Sequence, residues 1–139
     1  MRHLLVLTAL LLAAQAFLPA HALAQSPDFR AAYFNRLDQR KTGGFTLQDL
    51  QRISAKEFKR IDDNKDGGLS LEEYTYGIPA SRQDAIDFFT ARFKASDYNG
   101  DGKVDFTEDQ AYCVDLVNRA DLNKDGIVTR DEFLAAVAQ

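Results

Sequence analysis

The sequence predicts an all-α domain of four helix–loop–helix units, closed by short strand pairings between its loops. Three observations lead there: a twelve-residue pattern of Asp, Asn and Gly that recurs along the chain, apolar residues at helical spacing beside each copy, and a regular separation between copies. The chain has 139 residues, enough for one core. Its 17 basic and 21 acidic residues give a net charge of −4, which argues against a nucleic-acid partner.

Residues 1–24 read as an export signal ahead of the domain. Arg2 and His3 open it, an apolar run extends from Leu4 to Leu18, Pro19 breaks the run, and Ala22-Leu23-Ala24 places small residues at the two specificity positions, so cleavage is expected after Ala24. The run is shorter than the roughly 20 residues that span a bilayer. The only cysteine, Cys113, lies too far away to anchor a lipid. The expected product is exported, to the periplasm or the medium, with no membrane span. Cleavage removes both histidines (His3 and His21), the only methionine and Arg2, leaving 16 basic against 21 acidic residues. Without histidine and with one cysteine, the product cannot assemble a Ser-His or Cys-His nucleophile pair or a common zinc site, so no enzyme is expected.

From Asp62 the chain reads Asp62-Asp63-Asn64-Lys65-Asp66-Gly67-Gly68-Leu69-Ser70-Leu71-Glu72-Glu73, with oxygen side chains at positions 1, 3, 5, 9 and 12 and Gly at 6. Asp97, Asn99, Asp101, Gly102, Asp105 and Glu108 hold the same offsets, as do Asp121, Asn123, Asp125, Gly126, Thr129 and Glu132. Calcium is a hard ion that takes six to eight oxygens at about 2.3–2.6 Å. A tight loop supplies them by turning alternate side chains inward, lending the carbonyl of position 7 (Gly68, Lys103, Ile127), and closing with a glutamate that uses both oxygens. Position 9 (Ser70, Asp105, Thr129) ligates directly or through water, and Gly at 6 turns the backbone where a Cβ would clash. The pattern resembles the calcium loop of the EF-hand superfamily, as in calmodulin-like proteins. The resemblance covers about residues 28–138. It implies four EF hands in one compact domain holding about three Ca²⁺ ions, with Leu69, Val104 and Val128 in the strands that pair the loops. The plain leader adds a resemblance to bacterial secreted EF-hand proteins.

Taken in order, the elements fit. Ser26-Pro27 suits a cap and first helical position, and Phe29, Tyr33, Phe34 and Leu37 make an apolar stripe down to a fourth, degenerate loop at Asp38. There Arg40 stands at position 3, Thr42 at 5, Gly43 at 6, Phe45 at 8, Thr46 at 9 and the shorter Asp49 at 12. Arg40 puts a cation where a ligand belongs, so the loop reads as vestigial, its arginine supplying the charge calcium would have brought. Leu50, Ile53, Phe58 and Ile61 line the next helix, with Lys56, Lys59 and Arg60 on its solvated face. After the loop at 62, Tyr74-Thr75-Tyr76 is cut short by Gly77 and Pro79. The segment 77–82 is the expected linker between halves at 25–76 and 83–139. Ser81 is the expected cap of a helix bearing Ile86, Phe89 and Phe93. Tyr112, Cys113, Leu116, Val117 and Ala120 line the helix between the last two loops, and Phe133 and Val137 the final one; Cys113 reads as a buried free thiol.

The loops start at 38, 62, 97 and 121, so separations run 24, 35 and 24. With 12 residues between the first two loops, and between the last two, one helix must serve as exit from one and approach to the next, holding them roughly 18 Å apart. Such loops cannot pair side by side. The loop at 62 is therefore expected to pair with that at 97, and the degenerate loop at 38 with that at 121, closing a single unit.

Three roles fit a calcium-binding chain of this kind: a sensor that presents a surface to a protein partner, a buffer, or a calcium-stabilised interaction module. Nine Phe and no Met in the processed chain suit one partner shape rather than many. Loop 97, with four ligand carboxylates through Asp105 against three in each of the others, is expected to bind tightest.

Overall fold

A computed structural model describes residues 28–138; the expected leader, and the proposed cap at Ser26-Pro27, lie outside them. Six helices and four two-residue strands follow in order: α1 (Phe29–Leu37), β1 (Gly44–Phe45), α2 (Leu47–Ile61), β2 (Gly68–Leu69), α3 (Leu71–Thr75), α4 (Gln83–Ser96), β3 (Val104–Asp105), α5 (Phe106–Ala120), β4 (Val128–Thr129) and α6 (Arg130–Ala136). The all-α class holds, with strands confined to the loops.

The pairing expected from the spacing is the one observed. β1 runs antiparallel to β4, with Phe45 opposite Val128, and β2 antiparallel to β3, with Leu69 opposite Val104. α2 joins the loops at 38 and 62, and α5 joins those at 97 and 121, so each long helix connects the two sheets and α2 packs along α5. Because each pair takes one loop from either side of the 77–82 segment, neither half can close its own strands.

Each strand pair sits over its own core. Phe34, Leu37, Phe45, Leu50, Cys113, Leu116, Val128 and Phe133 surround the first, and Phe58, Leu69, Tyr74, Phe93 and Val104 the second. Phe45 meets Phe34 and Phe133 with ring centroids 5.9 Å apart in each case, filling the space beneath β1. Every residue expected to line α5 is buried, Cys113 completely, and it is a free thiol. The two tyrosines at the break divide: Tyr74 is buried, whereas Tyr76 is 84% exposed.

The helix starts follow a rule that the loops impose. Thr46, Ser70, Asp105 and Thr129, all at position 9, cap the helix that follows and accept from the backbone N–H of position 12; the position-12 carboxylate reaches back to the cap's own N–H. Helices α1 and α4 have no loop before them and depart from expectation. Asp28 caps α1, accepting from the Arg30 N–H at 3.1 Å. Ser81 does not cap α4: the cap position is Arg82, which makes no side-chain cap bond, and its guanidinium instead pairs with Asp84 in the first turn. That pair offers the carboxylate near the helix N-terminus that a serine cap would have replaced.

Candidate metal centres

All four loops share one backbone. Position 6 is a glycine at positive φ in each (Gly43, Gly67, Gly102, Gly126), and position 4 is also left-handed, at Lys41, Lys65, Gly100 and Lys124. Three lysines bear this costly conformation because the surrounding bonds fix the turn. The position-1 aspartates end the preceding helices and accept from the position-6 N–H: Gly67 to Asp62 at 3.2 Å, Gly102 to Asp97 at 3.0 Å, Gly126 to Asp121 at 3.0 Å. Asn64, Asn99 and Asn123 accept from the N–H of position 5, and Asp66, Asp101 and Asp125 from that of position 7. Their oxygens are thereby turned toward the loop interior.

Glu73, Glu108 and Glu132 bridge their loops. One oxygen of each accepts from the N–H of position 9, at 2.9–3.0 Å, and the other from N–H groups near position 2, at 3.1–3.3 Å. The backbone bond from Ser70 is the main cause holding Glu73 below the usual carboxylate range, as the bond from Thr129 is for Glu132. Among the described residues no three acidic side chains are gathered closely enough to hold a metal as they stand.

Two atoms test whether the loops fit a cation. Asp62 Oδ1 and Asp121 Oδ1 are buried and have no hydrogen-bond partner. A buried carboxylate oxygen without a donor carries its full desolvation cost, and both atoms stand at position 1, where a calcium loop begins. The donor set is all oxygen, as a hard ion requires.

A family model described as EF hand matches residues 52–75, 90–108 and 114–137, one match to each of the three intact loops and its flanking helix. The chain is an EF-hand protein. No curated protein matches it. EF hands are ordinarily non-enzymatic modules that bind Ca²⁺, and three of them make this a calcium-binding protein.

The first loop lies outside those matches and yet has the EF-hand backbone, and its chemistry explains how it keeps it. Arg40 at position 3 bonds Asp49 at position 12, so a built-in cation takes the carboxylate. Thr42 at position 5 donates to the Gly44 carbonyl at position 7, 3.3 Å away. Asp49 is desolvated, which alone would raise its pKa; bonds from Thr46 and Arg40 outweigh this and hold it below its ordinary value. This pair is mostly exposed on the arginine side, so it adds order more than stability.

Two features were not read from the sequence. Lys103, expected to contribute only its carbonyl, sends its ammonium across the β2–β3 pair to Asp66 Oδ2 at 2.5 Å, so one EF hand holds the position-5 carboxylate of its partner. The second is a buried ionic group between the helices. Arg92 of α4 donates to Tyr33 of α1, to Ser54 of α2 at 3.0 Å and to Asp109 of α5 at 3.2 Å, while Ser54 donates to both Asp109 oxygens. Arg92 and Asp109 are 8% and 3% exposed. Burial opposes the guanidinium's charge, and the surrounding Tyr33, Tyr74 and Asp109 outweigh it, holding Arg92 protonated.

Proposed function

We propose that this protein is an exported calcium sensor that binds three Ca²⁺ ions and presents a surface to a protein partner. The ligands are Asp62, Asn64, Asp66, the Gly68 carbonyl, Ser70 and Glu73; Asp97, Asn99, Asp101, the Lys103 carbonyl, Asp105 and Glu108; and Asp121, Asn123, Asp125, the Ile127 carbonyl, Thr129 and Glu132. Export, to the periplasm or the medium, rests on the leader at 1–24.

The observation that carries the sensor reading is the double duty of position 12. Glu73 and Glu108 are each bonded to the cap of the helix they begin, so a carboxylate drawn toward an ion takes the first helical turn with it. Leu71 and Phe106, at position 10 inside those turns, are 38% and 44% exposed. Their apolar surface is therefore re-aimed by calcium. The wiring of the fold favours a second reading, a calcium-stabilised module: α2 and α5 each tie two loops together, which opposes independent opening of either pair.

Calorimetric calcium titration of the processed chain, with a parallel apolar dye, separates them. Three micromolar sites with rising dye fluorescence support the sensor. Sites near millimolar, or tight sites with unchanged fluorescence, refute it in favour of the module or a buffer.

A further inference from the structure

The geometry assigns a second site: the cleft between the helices takes a small uncharged amphiphile with an apolar body and a carbonyl head. This cleft encloses about 460 Å³ and is walled by Phe29, Ile53, Phe58, Ile78 and Phe89. That volume falls in the range of small-molecule pockets. It accommodates about fifteen non-hydrogen atoms at the ~30 Å³ a water molecule occupies in the liquid.

Its polar part is what specifies the head group. Arg92, Tyr74, Ser54 and Asp109 line the cleft together. Within this group Arg92 Nε and the Tyr74 hydroxyl are buried with no hydrogen-bond partner. Every other polar atom nearby is committed. The Arg92 Nη atoms serve Tyr33, Ser54 and Asp109, Ser54 serves Asp109, and the neighbouring Ser96 hydroxyl donates to the Arg92 carbonyl at 2.8 Å. Two unmatched donors on an otherwise closed network call for an acceptor, since buried polar groups without partners are rare and costly.

Charge decides what kind of acceptor. The Arg92 guanidinium is already countered by Asp109 at 3.2 Å, and the other cations that line the cleft, Arg36, Arg60 and Arg82, are paired with Glu57 and Asp84, so a ligand carboxylate beside Arg92 would enter as a second anion against one cation in a buried place. A carbonyl oxygen satisfies a donor without adding charge. A bridging water would do the same for the donors and leave the aromatic walls unused.

The test is calorimetry on the processed chain, with and without calcium, using undecanone, undecane and decanoate as probes. The inference expects saturable one-to-one binding of undecanone, at least tenfold weaker binding of undecane and of decanoate, and a shift of the Arg92 Nε–H resonance as undecanone is added. Tyr74→Phe, which keeps the ring and so the fold, should weaken undecanone about tenfold and leave undecane unchanged. Three results overturn it: no saturable binding of undecanone, equal affinity for undecane (the donors then answered by water), or tighter binding of decanoate. Leu69 and Glu73 of the loop from 62 also line the cleft, so undecanone affinity is compared with and without calcium, and calcium titration of the chain without undecanone stands apart from all three outcomes.

Discussion

Gly44→Ala tests the interlocked pairing of the hands most directly. A β-carbon at Gly44 would stand 2.5 Å from Ile127 Cγ2, 2.9 Å from the Val128 carbonyl oxygen and 3.4 Å from its carbon. Two of these atoms are backbone of β4, so they cannot give way without parting the strands. At Gly68, the equivalent place in the other pair, the nearest atoms are Lys103 Cδ at 3.1 Å and Cβ at 3.4 Å, a flexible side chain that can swing aside. Overpacking costs about 1–3 kcal/mol, while replacing Gly with Ala where φ is compatible returns about 0.4–1 kcal/mol through the unfolded chain. Gly44→Ala should therefore destabilise by about 1–2 kcal/mol, a fall of roughly 4–10 °C in melting temperature for a domain of this size, and Gly68→Ala should stay near the parent. The strain falls on Ile127, whose carbonyl is the proposed position-7 ligand, so affinity at the loop from 121 should drop up to about tenfold. Calcium titration followed at the amides of Gly126, Gly67 and Gly102, one reporter in each loop, reads this directly. Equal behaviour of the two variants, or a loss at Gly67 and Gly102 in place of Gly126, would refute the pairing argument.

Other consequences are open to simpler measurements. Lys103→Ala frees Asp66 from an ammonium that competes with calcium and should raise affinity at loop 62 by a factor of about three, since an exposed pair is a weak competitor; unchanged affinity would mean the lysine yields to the ion without cost. Asp109→Ala leaves the Arg92 charge buried without its carboxylate and should cost about 3–5 kcal/mol in urea denaturation, well beyond an ordinary surface change. Burial pushes the Cys113 thiol up to about 11 from an ordinary 9.0, so the folded state keeps it neutral while the unfolded chain ionises. That contribution is fully present below pH 9 and is lost as the pH rises toward 11. Cys113→Ala should show a shallower fall in stability over that window than the parent, and parallel curves would contradict the assignment.

How far the fold could be read from the sequence depended on what kind of signal each part leaves. The loops were legible because calcium chemistry fixes residue types at fixed offsets, and their pairing was legible because helix rise turns a count of residues into a distance. The core of α5 followed from its period. The start of α4 was misread because a serine is only one way to serve a helix N-terminus, and here Arg82 and Asp84 do it with a charge pair. The Lys103–Asp66 contact had a signal that was not used: once loops 62 and 97 are paired, Lys103 stands just before β3 and its stem passes over Gly68, two residues on from Asp66. Arg92 and Asp109 had none. Each sits on a helix among ordinary polar residues, and only the meeting of α1, α2, α4 and α5 makes them a buried pair.

The degenerate first hand bears on how the other three bind. Asp49 Oδ2 accepts from the Thr46 N–H at 3.1 Å, from the Thr46 hydroxyl at 2.9 Å and from Arg40, all on one oxygen. A cation bonded to the position-12 carboxylate is thus compatible with an intact cap on the following helix. Glu73, Glu108 and Glu132 hold the same cap bonds with side chains one methylene longer. On the proposed sensor reading they need not release their helices to reach an ion, and the helix start follows the carboxylate. Where Arg40 is tethered to the chain, that position is set permanently. On the proposed sensor reading, where the cation comes from solution that position follows calcium concentration, and the first hand is the fixed partner of the loop from 121.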